Sequence, residues 1–429
     1  MRIGLLNVKY SPNLGDGLLS ECLERELAAA LPGALVHSID LAGRRAYPAI
    51  RPSRRGHLIS VLEALPGWAR QRAARMVLAG LVALRLRRHF RRQLAGCDAV
   101  VLGGGNLLTD ADLNFPMKIA AALAEARRRK LPLAVHGVGA NKGWSRAGRA
   151  LFSRAIGTAR LASVTVRDRQ SQLAWSTQLE PAGLPPAELA GDPGLLAARH
   201  FRRGAPAYDG PVAGLCVTAP MALRYHATGH ADPEGSEQDR ATDLWYGQAA
   251  RALTDAGLRV ALFTNGSPED RDYLAMMGPG WIAQARGPVT ITNPFVDPAE
   301  LVTFISSCDL VVAHRMHACI AAHAFAIPTI GLKWDVKLES FFALAGRDAY
   351  IAATDDLPAS QLTALARRAL DEGVDATALA HLIDRTSRDI GRMARRLAAA
   401  AAGVNIGSAP PSQMAAFGTA WQPVSAEPA

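Results

Sequence analysis

The sequence predicts an α/β protein built as two parallel-sheet domains that face each other across a cleft. Three observations lead there. A chain of 429 residues is too long for one ordinary hydrophobic core. Both halves alternate short apolar β runs with helical stretches, and each run ends in a glycine or polar loop. Between the halves, from 199 to 211, apolar periodicity lapses and a linker is expected.

In the first half, residues 3–8 form a strand run that enters the glycine-rich turn Asn13-Leu14-Gly15-Asp16-Gly17. A helix is expected after it, because Leu18, Leu19, Cys22, Leu23 and Leu27 recur on a 3.6 period. Residues 98–102 make a strand that ends in Gly103-Gly104-Gly105-Asn106. Residues 133–136 end in Gly137-Val138-Gly139, and 162–166 end in Arg167-Asp168. The second half repeats the scheme with strands at 212–217, 258–264, 310–313 and 328–332 and helices that include 298–307 and 316–325. The expected division is a Rossmann-like domain at 1–198, with a basic helical insertion at about 44–95, and a Rossmann-like domain at 212–400. The tail 401–429 loses its pattern after about 404 and is expected to be disordered. Ligands of such domains bind where the C-terminal strand ends face each other.

Composition narrows the function classes. The 49% hydrophobic and 20% charged content fits a packed globular chain. Five scattered cysteines without a C-x-x-C pair argue against a zinc ribbon or a disulfide framework, and suit a reducing compartment. The first residues run straight into a strand without a signal peptide, so a cytoplasmic location is expected. Residues 44–92 hold 13 arginines, no lysine and one acid, Glu63. That local +12 leaves the rest of the chain at about −2 against a total of +10. With little aromatic interleaving and no recognition motif, the segment is not expected to bind nucleic acid. Its nine-residue apolar stretch, 76–84, is far short of the ~20 residues that span a bilayer. Trp68, Arg70, Arg72, Arg75, Arg85, Arg87, Arg88, Arg91 and Arg92 flank that stretch. This is the pattern of a basic amphipathic helix or helix pair lying on an anionic membrane, or of a hairpin packed on its own domain with a solvated arginine face.

Four places carry chemistry. At Asn13 to Gly17 a strand, a turn and a helix start bring backbone N–H groups and a positive helix end together, and Gly15 permits close approach. Asp16 there can cap the helix or bind a sugar hydroxyl. Gly103, Gly104 and Gly105 cost backbone entropy, which suits close passage of a ligand, or tight packing on a neighbouring loop, with Asn106 beside them. The planar fork of Arg167 at a strand end suits a carboxylate or phosphate, although Asp168 can neutralise it or Arg169. In Ala313-His314-Arg315-Met316-His317 a buried strand passes directly into a helix. A cation at a helix N-terminus is opposed by the dipole unless an anion is present, which makes Arg315 an anion-binding candidate. The competing reading pairs Arg315 with an acid and makes His314 and His317 structural. His317 can donate a proton or hydrogen-bond a phosphate, and a phosphate would keep it protonated near neutral pH. Lys333 and Lys337 can complete a cationic pocket. No H-E-x-x-H, Asp-rich loop or G-x-S-x-G is present, so neither a metal site nor a nucleophile elbow is expected.

These segments resemble the polysaccharide pyruvyl transferases. The matching stretches are Asn13-Leu14-Gly15-Asp16, Val101-Leu102-Gly103-Gly104-Gly105, Val164-Thr165-Val166-Arg167-Asp168 and Gly191-Asp192-Pro193. Phe263-Thr264-Asn265-Gly266 with Asp270, then Arg315-Met316-His317 with Pro328 and Lys337, follow in family order. The resemblance implies a glycosyltransferase-B-like fold and transfer of a pyruvyl group from phosphoenolpyruvate onto two sugar hydroxyls as a cyclic ketal, with no cofactor. It further implies that Arg167, Arg315 and His317 hold the donor's phosphate and carboxylate, with Lys337 helping. The acceptor would be a polysaccharide or lipid-linked sugar. His317 is the expected acid or phosphate ligand and Asp16 the expected base. The resemblance does not extend over 44–92. Two rivals share the architecture: a glycosyltransferase using a nucleotide sugar, and a non-catalytic assembly protein docked on a membrane through its arginines.

Overall fold

The structure is a computed structural model that describes residues 1–49, 67–206, 208–223, 237–354 and 356–403. Part of the basic insertion and most of the tail expected to be disordered therefore lie outside the described residues, as do the side chains of Trp68 and Arg70.

The first sheet contains β1 (Arg2–Asn7), β2 (Leu35–Asp40), β3 (Ala99–Leu108), β4 (Pro132–Ala140), β5 (Arg160–Val166) and β6 (Glu188–Leu189). Its helices are α1 (Leu14–Ala30), α2 (Gly67–Leu81), α3 (Arg87–Gln93), α4 (Asn114–Arg128), α5 (Arg146–Gly157), α6 (Arg169–Gln178) and α7 (Ala197–His200). The second sheet contains β7 (Val212–Cys216), β8 (Arg259–Phe263), β9 (Val289–Ile291), β10 (Leu310–Ala313), β11 (Thr329–Lys333) and β12 (Ile351–Ala353). Around it lie α8 (Glu237–Asp255), α9 (Pro268–Gln284), α10 (Pro298–Ile305), α11 (Met316–Ala324), α12 (Val336–Leu344) and α13 (Ala359–Glu372), and the chain closes with α14 (Ala376–Ala401).

Both sheets are parallel, in the orders β2-β1-β3-β4-β5-β6 and β12-β11-β10-β7-β8-β9. Read from its β9 edge, the second is the doubly wound 3-2-1-4-5-6 order. The first reverses direction between β1 and β3. Reversal points leave a crevice at the strand C-termini. Here those crevices lie after β1 and β3 in one half, and after β7 and β10 in the other.

Two boundaries differ from the sequence expectation. The helix after β1 begins at Leu14, not Leu18, because the Asn13 side chain caps it by accepting from the Gly15 amide at 3.2 Å. Strand β3 also runs on through Gly103, Gly104 and Gly105 to Leu108, with a register shift after Gly105.

The closing helix α14, placed in the second domain by sequence, packs back on β3, β4, β5 and α1 of the first. Ile390, Met393, Ala394 and Leu397 are buried there, in one core shared with Ile3, Leu5 and Val101. Gly191 admits this helix, since a Cβ at that position would lie 2.0 Å from Thr386 Oγ1. The other face of the first sheet packs Leu6, Ile39 and Val100 against Val82, Leu86, Phe90 and Leu94 of the basic insertion. Those four recur every four residues, a spacing that drifts about 40° per step in an α-helix. A π-turn over Val82–Leu86 absorbs part of that drift and keeps them on one side.

Candidate active site

A cavity of ≈ 350 Å³ lies behind Arg167, between Leu189–Gly191 and the helices α12 and α14. The larger one, ≈ 630 Å³, lies between the two sets of strand ends and carries the candidate chemistry. It is lined from the first half by Asn13, Asp16, Asn106, Thr109, Asp110, Asp112, Asn141 and Arg167, and from the second by Asn265, Arg315, His317, Trp334, Asp335 and Lys337. Of the residues singled out in the sequence, Asn13, Asp16, Asn106, Arg167, Arg315, His317 and Lys337 meet here. Gly15, Gly103, Gly104 and Gly105 do not line the cavity.

The glycines shape its walls instead. A Cβ on Gly15 would fall 2.5 Å from His317 Nδ1, so the start of α1 lies directly against that imidazole. A Cβ on Gly103 would meet the His136 carbonyl at 2.7 Å, while Gly104 has φ +77°, where L residues are strained. Gly139 gives room to Arg167 Nη2, which would stand 2.8 Å from a Cβ.

Arg167 is buried. Its Nε donates to Asp168 at 3.3 Å and its Nη1 stands 3.7 Å from Asp192. The buried Arg315 donates Nε and Nη2 to Asp270 at 3.0 and 2.5 Å. The cation at the start of α11 is therefore balanced by an internal carboxylate, which removes the dipole mismatch as an argument for an external anion. Lys337 sits in the first turn of α12, whose N-cap is Asp335. Burial, then the neighbouring Arg167, pushes its ammonium down to about 8, against Asp335 and Asp168. Burial likewise pushes His317 down to about 3, helped by Arg167, Arg315 and Lys337, so its imidazole is neutral at pH 7. Asp16 is pushed up to about 6 by burial, which outweighs its hydrogen bond with Ser11 and the charges of Arg44, Arg167 and Arg315.

Two candidates lie elsewhere. His314 is buried, with Nδ1 3.0 Å from the Tyr246 hydroxyl and its carbonyl accepting from Trp334 Nε1 at 2.6 Å. Lys333 is exposed and paired with Glu339. Sequence reasoning did not place Arg75, Asp110, Asp112, Asn141, Asn265 or Trp334 in the site. Asn141 directly follows the end of β4 and Asn265 stands two residues beyond the end of β8, positions that could have flagged them. Asp110 and Arg75 carry no such signal.

Strand ends of two doubly wound domains, meeting over arginine, lysine, histidine and buried carboxylates, define a glycosyltransferase-B-like architecture with a polar, cation-lined cleft. The family model for polysaccharide pyruvyl transferase matches residues 13–336. The chain belongs to that family and is a transferase. Solved structures similar to it include a UDP-GlcNAc 2-epimerase from Methanocaldococcus jannaschii in complex with UDP-GlcNAc and UDP. That match has 10% identity, covers 93% of this chain and 99% of the other, and has a TM-score of 0.50. A putative UDP-N-acetylglucosamine 2-epimerase from Listeria monocytogenes matches at 14% identity over 93% of this chain and 95% of the other, TM-score 0.51. The S. aureus MnaA–UDP structure matches at 10% over 92% and 94%, TM-score 0.50. At such identities the likeness is one of fold. No curated protein matches the chain.

Proposed function

We propose that the chain transfers the pyruvyl group of phosphoenolpyruvate onto two hydroxyls of one sugar, in a polysaccharide or a lipid-linked oligosaccharide. The product is a cyclic ketal of an exopolysaccharide or another cell-surface polysaccharide. One observation carries the donor assignment. Arg167 Nη1, His317 Nε2, Asn265 Nδ2 and Asn106 Oδ1 are buried, lack hydrogen-bond partners among the described residues, and belong to residues lining one cavity. Buried polar atoms are nearly always paired in folded proteins, and four of the fourteen unpaired ones among the described residues gather at this cavity. Three of the four can donate, and a small ligand rich in anionic oxygens would satisfy them beside Arg167 and Lys337.

The chemistry has two halves. A proton goes to the methylene carbon of phosphoenolpyruvate while one sugar oxygen bonds to C2 and releases its own proton. The C2–O bond to phosphate then breaks, the second sugar oxygen bonds to C2 and gives up its proton, and that proton leaves with the phosphate as hydrogen phosphate. Preorganised cations stabilise the charge on phosphate and carboxylate. Lys337, at about 8, is matched to giving a proton near neutrality, and Asp16, at about 6, to taking one. Asp110, Asp112, Asn141 and Thr109 line the same cavity and offer hydrogen bonds to acceptor hydroxyls.

Calorimetry with phosphoenolpyruvate and with UDP-N-acetylglucosamine tests the donor. Phosphoenolpyruvate is expected to bind, with affinity lowered about tenfold or more in Arg167→Met, the loss of one charge-assisted contact. Binding of the nucleotide sugar alone would replace this reading with that of a glycosyltransferase.

A further inference from the structure

The helical insertion has a second surface. Its inner side is fixed by Val82, Leu86, Phe90 and Leu94, all buried. On its outer side Met76, Val77 and Leu84 are 70%, 62% and 83% exposed. Arg75, Arg85, Arg87, Arg88, Arg91 and Arg92 are exposed as well, and residues 67–94 contain no acid. A solvated arginine face accounts for the charge but not for three large apolar side chains held in water beside it. A nucleic-acid backbone would pair with the arginines and still leave Met76, Val77 and Leu84 wet. The boundary between lipid headgroups and acyl chains takes both. No described helix is long and apolar enough to cross a membrane, so the contact is one of lying on a surface.

Position adds a consequence. Arg75 precedes Met76 directly and lines the larger cavity, and α2 packs on the turn Ala111–Leu113 that forms the cavity wall. That turn holds three successive non-glycine residues at positive φ, +25°, +54° and +66°. The outward helix is thus part of the cavity's rim.

We propose that this face docks on an anionic phospholipid bilayer, Met76, Val77 and Leu84 entering the headgroup boundary and the arginines lying on lipid phosphates, so that the cavity receives its sugar from a carrier embedded in the same membrane. The docking stands on the surface alone. The delivery of the sugar rests on the proposed transferase reaction.

The test is flotation of the full chain with vesicles of phosphatidylcholine, with and without phosphatidylglycerol, in the absence of any substrate. Binding is expected to be at least about tenfold stronger to the anionic vesicles and to weaken with salt. Two variants separate the contributions: Met76→Ser, Val77→Ser, Leu84→Ser together, and Arg87→Glu, Arg88→Glu, Arg91→Glu together. Each should lose about tenfold or more of vesicle binding while phosphoenolpyruvate binding in solution stays unchanged, which also reports an intact fold. No binding to anionic vesicles overturns the proposal, as does undiminished binding of the serine variant, or displacement from vesicles by a single-stranded RNA at equal phosphate. Flotation without phosphoenolpyruvate binding would leave the docking standing and remove the reaction.

Discussion

At the scale of single residues, the cavity sets groups that titrate on either side of neutrality next to one that does not. In the proposed reaction Asp16 must be ionised to take a hydroxyl proton, so kcat/KM should rise with pH through about 6, where its raised pKa lies. Lys337 must be protonated to give one, so the rate should fall through about 8. Asp16→Asn should remove the acid limb and Lys337→Met the alkaline limb, each lowering the plateau by about 10²–10⁴. A pH profile of phosphate release on each variant checks both; a limb that survives its variant belongs to another group. His317 is different. Lifting it from about 3 to 7 needs about 5 kcal/mol at 1.36 kcal/mol per pH unit. A charge-assisted hydrogen bond supplies only about 1.5–3 kcal/mol. His317 is therefore expected to hold phosphate as a neutral imidazole. Calorimetry at pH 7 in buffers of different ionisation enthalpy should then give the same proton uptake on phosphoenolpyruvate binding for wild type and His317→Gln. Uptake lost in the variant would make the imidazole the acid.

At the scale of elements, what the sequence disclosed depended on burial. The eight strands legible in it are β1, β3, β4, β5, β7, β8, β10 and β11, the central four of each sheet. Covered on both faces, they read as unbroken apolar runs, Val100 to Leu102 and Leu310 to Val312 among them. The four that escaped, β2, β6, β9 and β12, are the four sheet edges. Edges are short or mixed in polarity, as Leu35-Val-His-Ser-Ile-Asp and Glu188-Leu189 are. The site was legible for the same reason, because its cations follow central strands. What escaped was the loop 109–114, whose place in the wall is set by tertiary packing. Equally hidden was the destination of α14, since its apolar stripe fits either sheet. Here that stripe serves the first sheet, so Ile390→Ala should destabilise the protein by about 2–5 kcal/mol. A denaturant titration followed at Trp175, buried in the first half, would measure it. An unchanged first-half transition would mean that α14 only rests on that sheet.

At the scale of the whole molecule, the two halves meet over contacts that leave no space for a side chain. The Leu14 amide donates to the Asn265 carbonyl at 2.8 Å, and a Cβ on Gly266 would stand 2.7 Å from the Pro12 carbonyl. A Cβ on Gly17 would lie 2.7 Å from Pro298, and one on Gly15 would enter the His317 ring. The start of α1 is therefore held against the loop after β8 by backbone and against the start of α11 by the His317 ring, and these contacts join the two walls of the cavity. A donor gripped by Arg167 from one half and by His317 and Lys337 from the other should stabilise the assembled molecule by mass action, about 2.7 kcal/mol at a concentration 100-fold above its Kd. Thermal unfolding with and without phosphoenolpyruvate reads this as a rise in midpoint. Arg167→Met and His317→Gln should both cut the rise to about half or less at that concentration, although they lie in different halves. Gly15→Ala should lower it too, while lining no part of the cavity, because its methyl would collide with the His317 imidazole. A rise left undiminished in either Arg167→Met or His317→Gln would mean that one half holds the donor alone, and that the close fit of α1 against α11 serves stability and not the grip on phosphate.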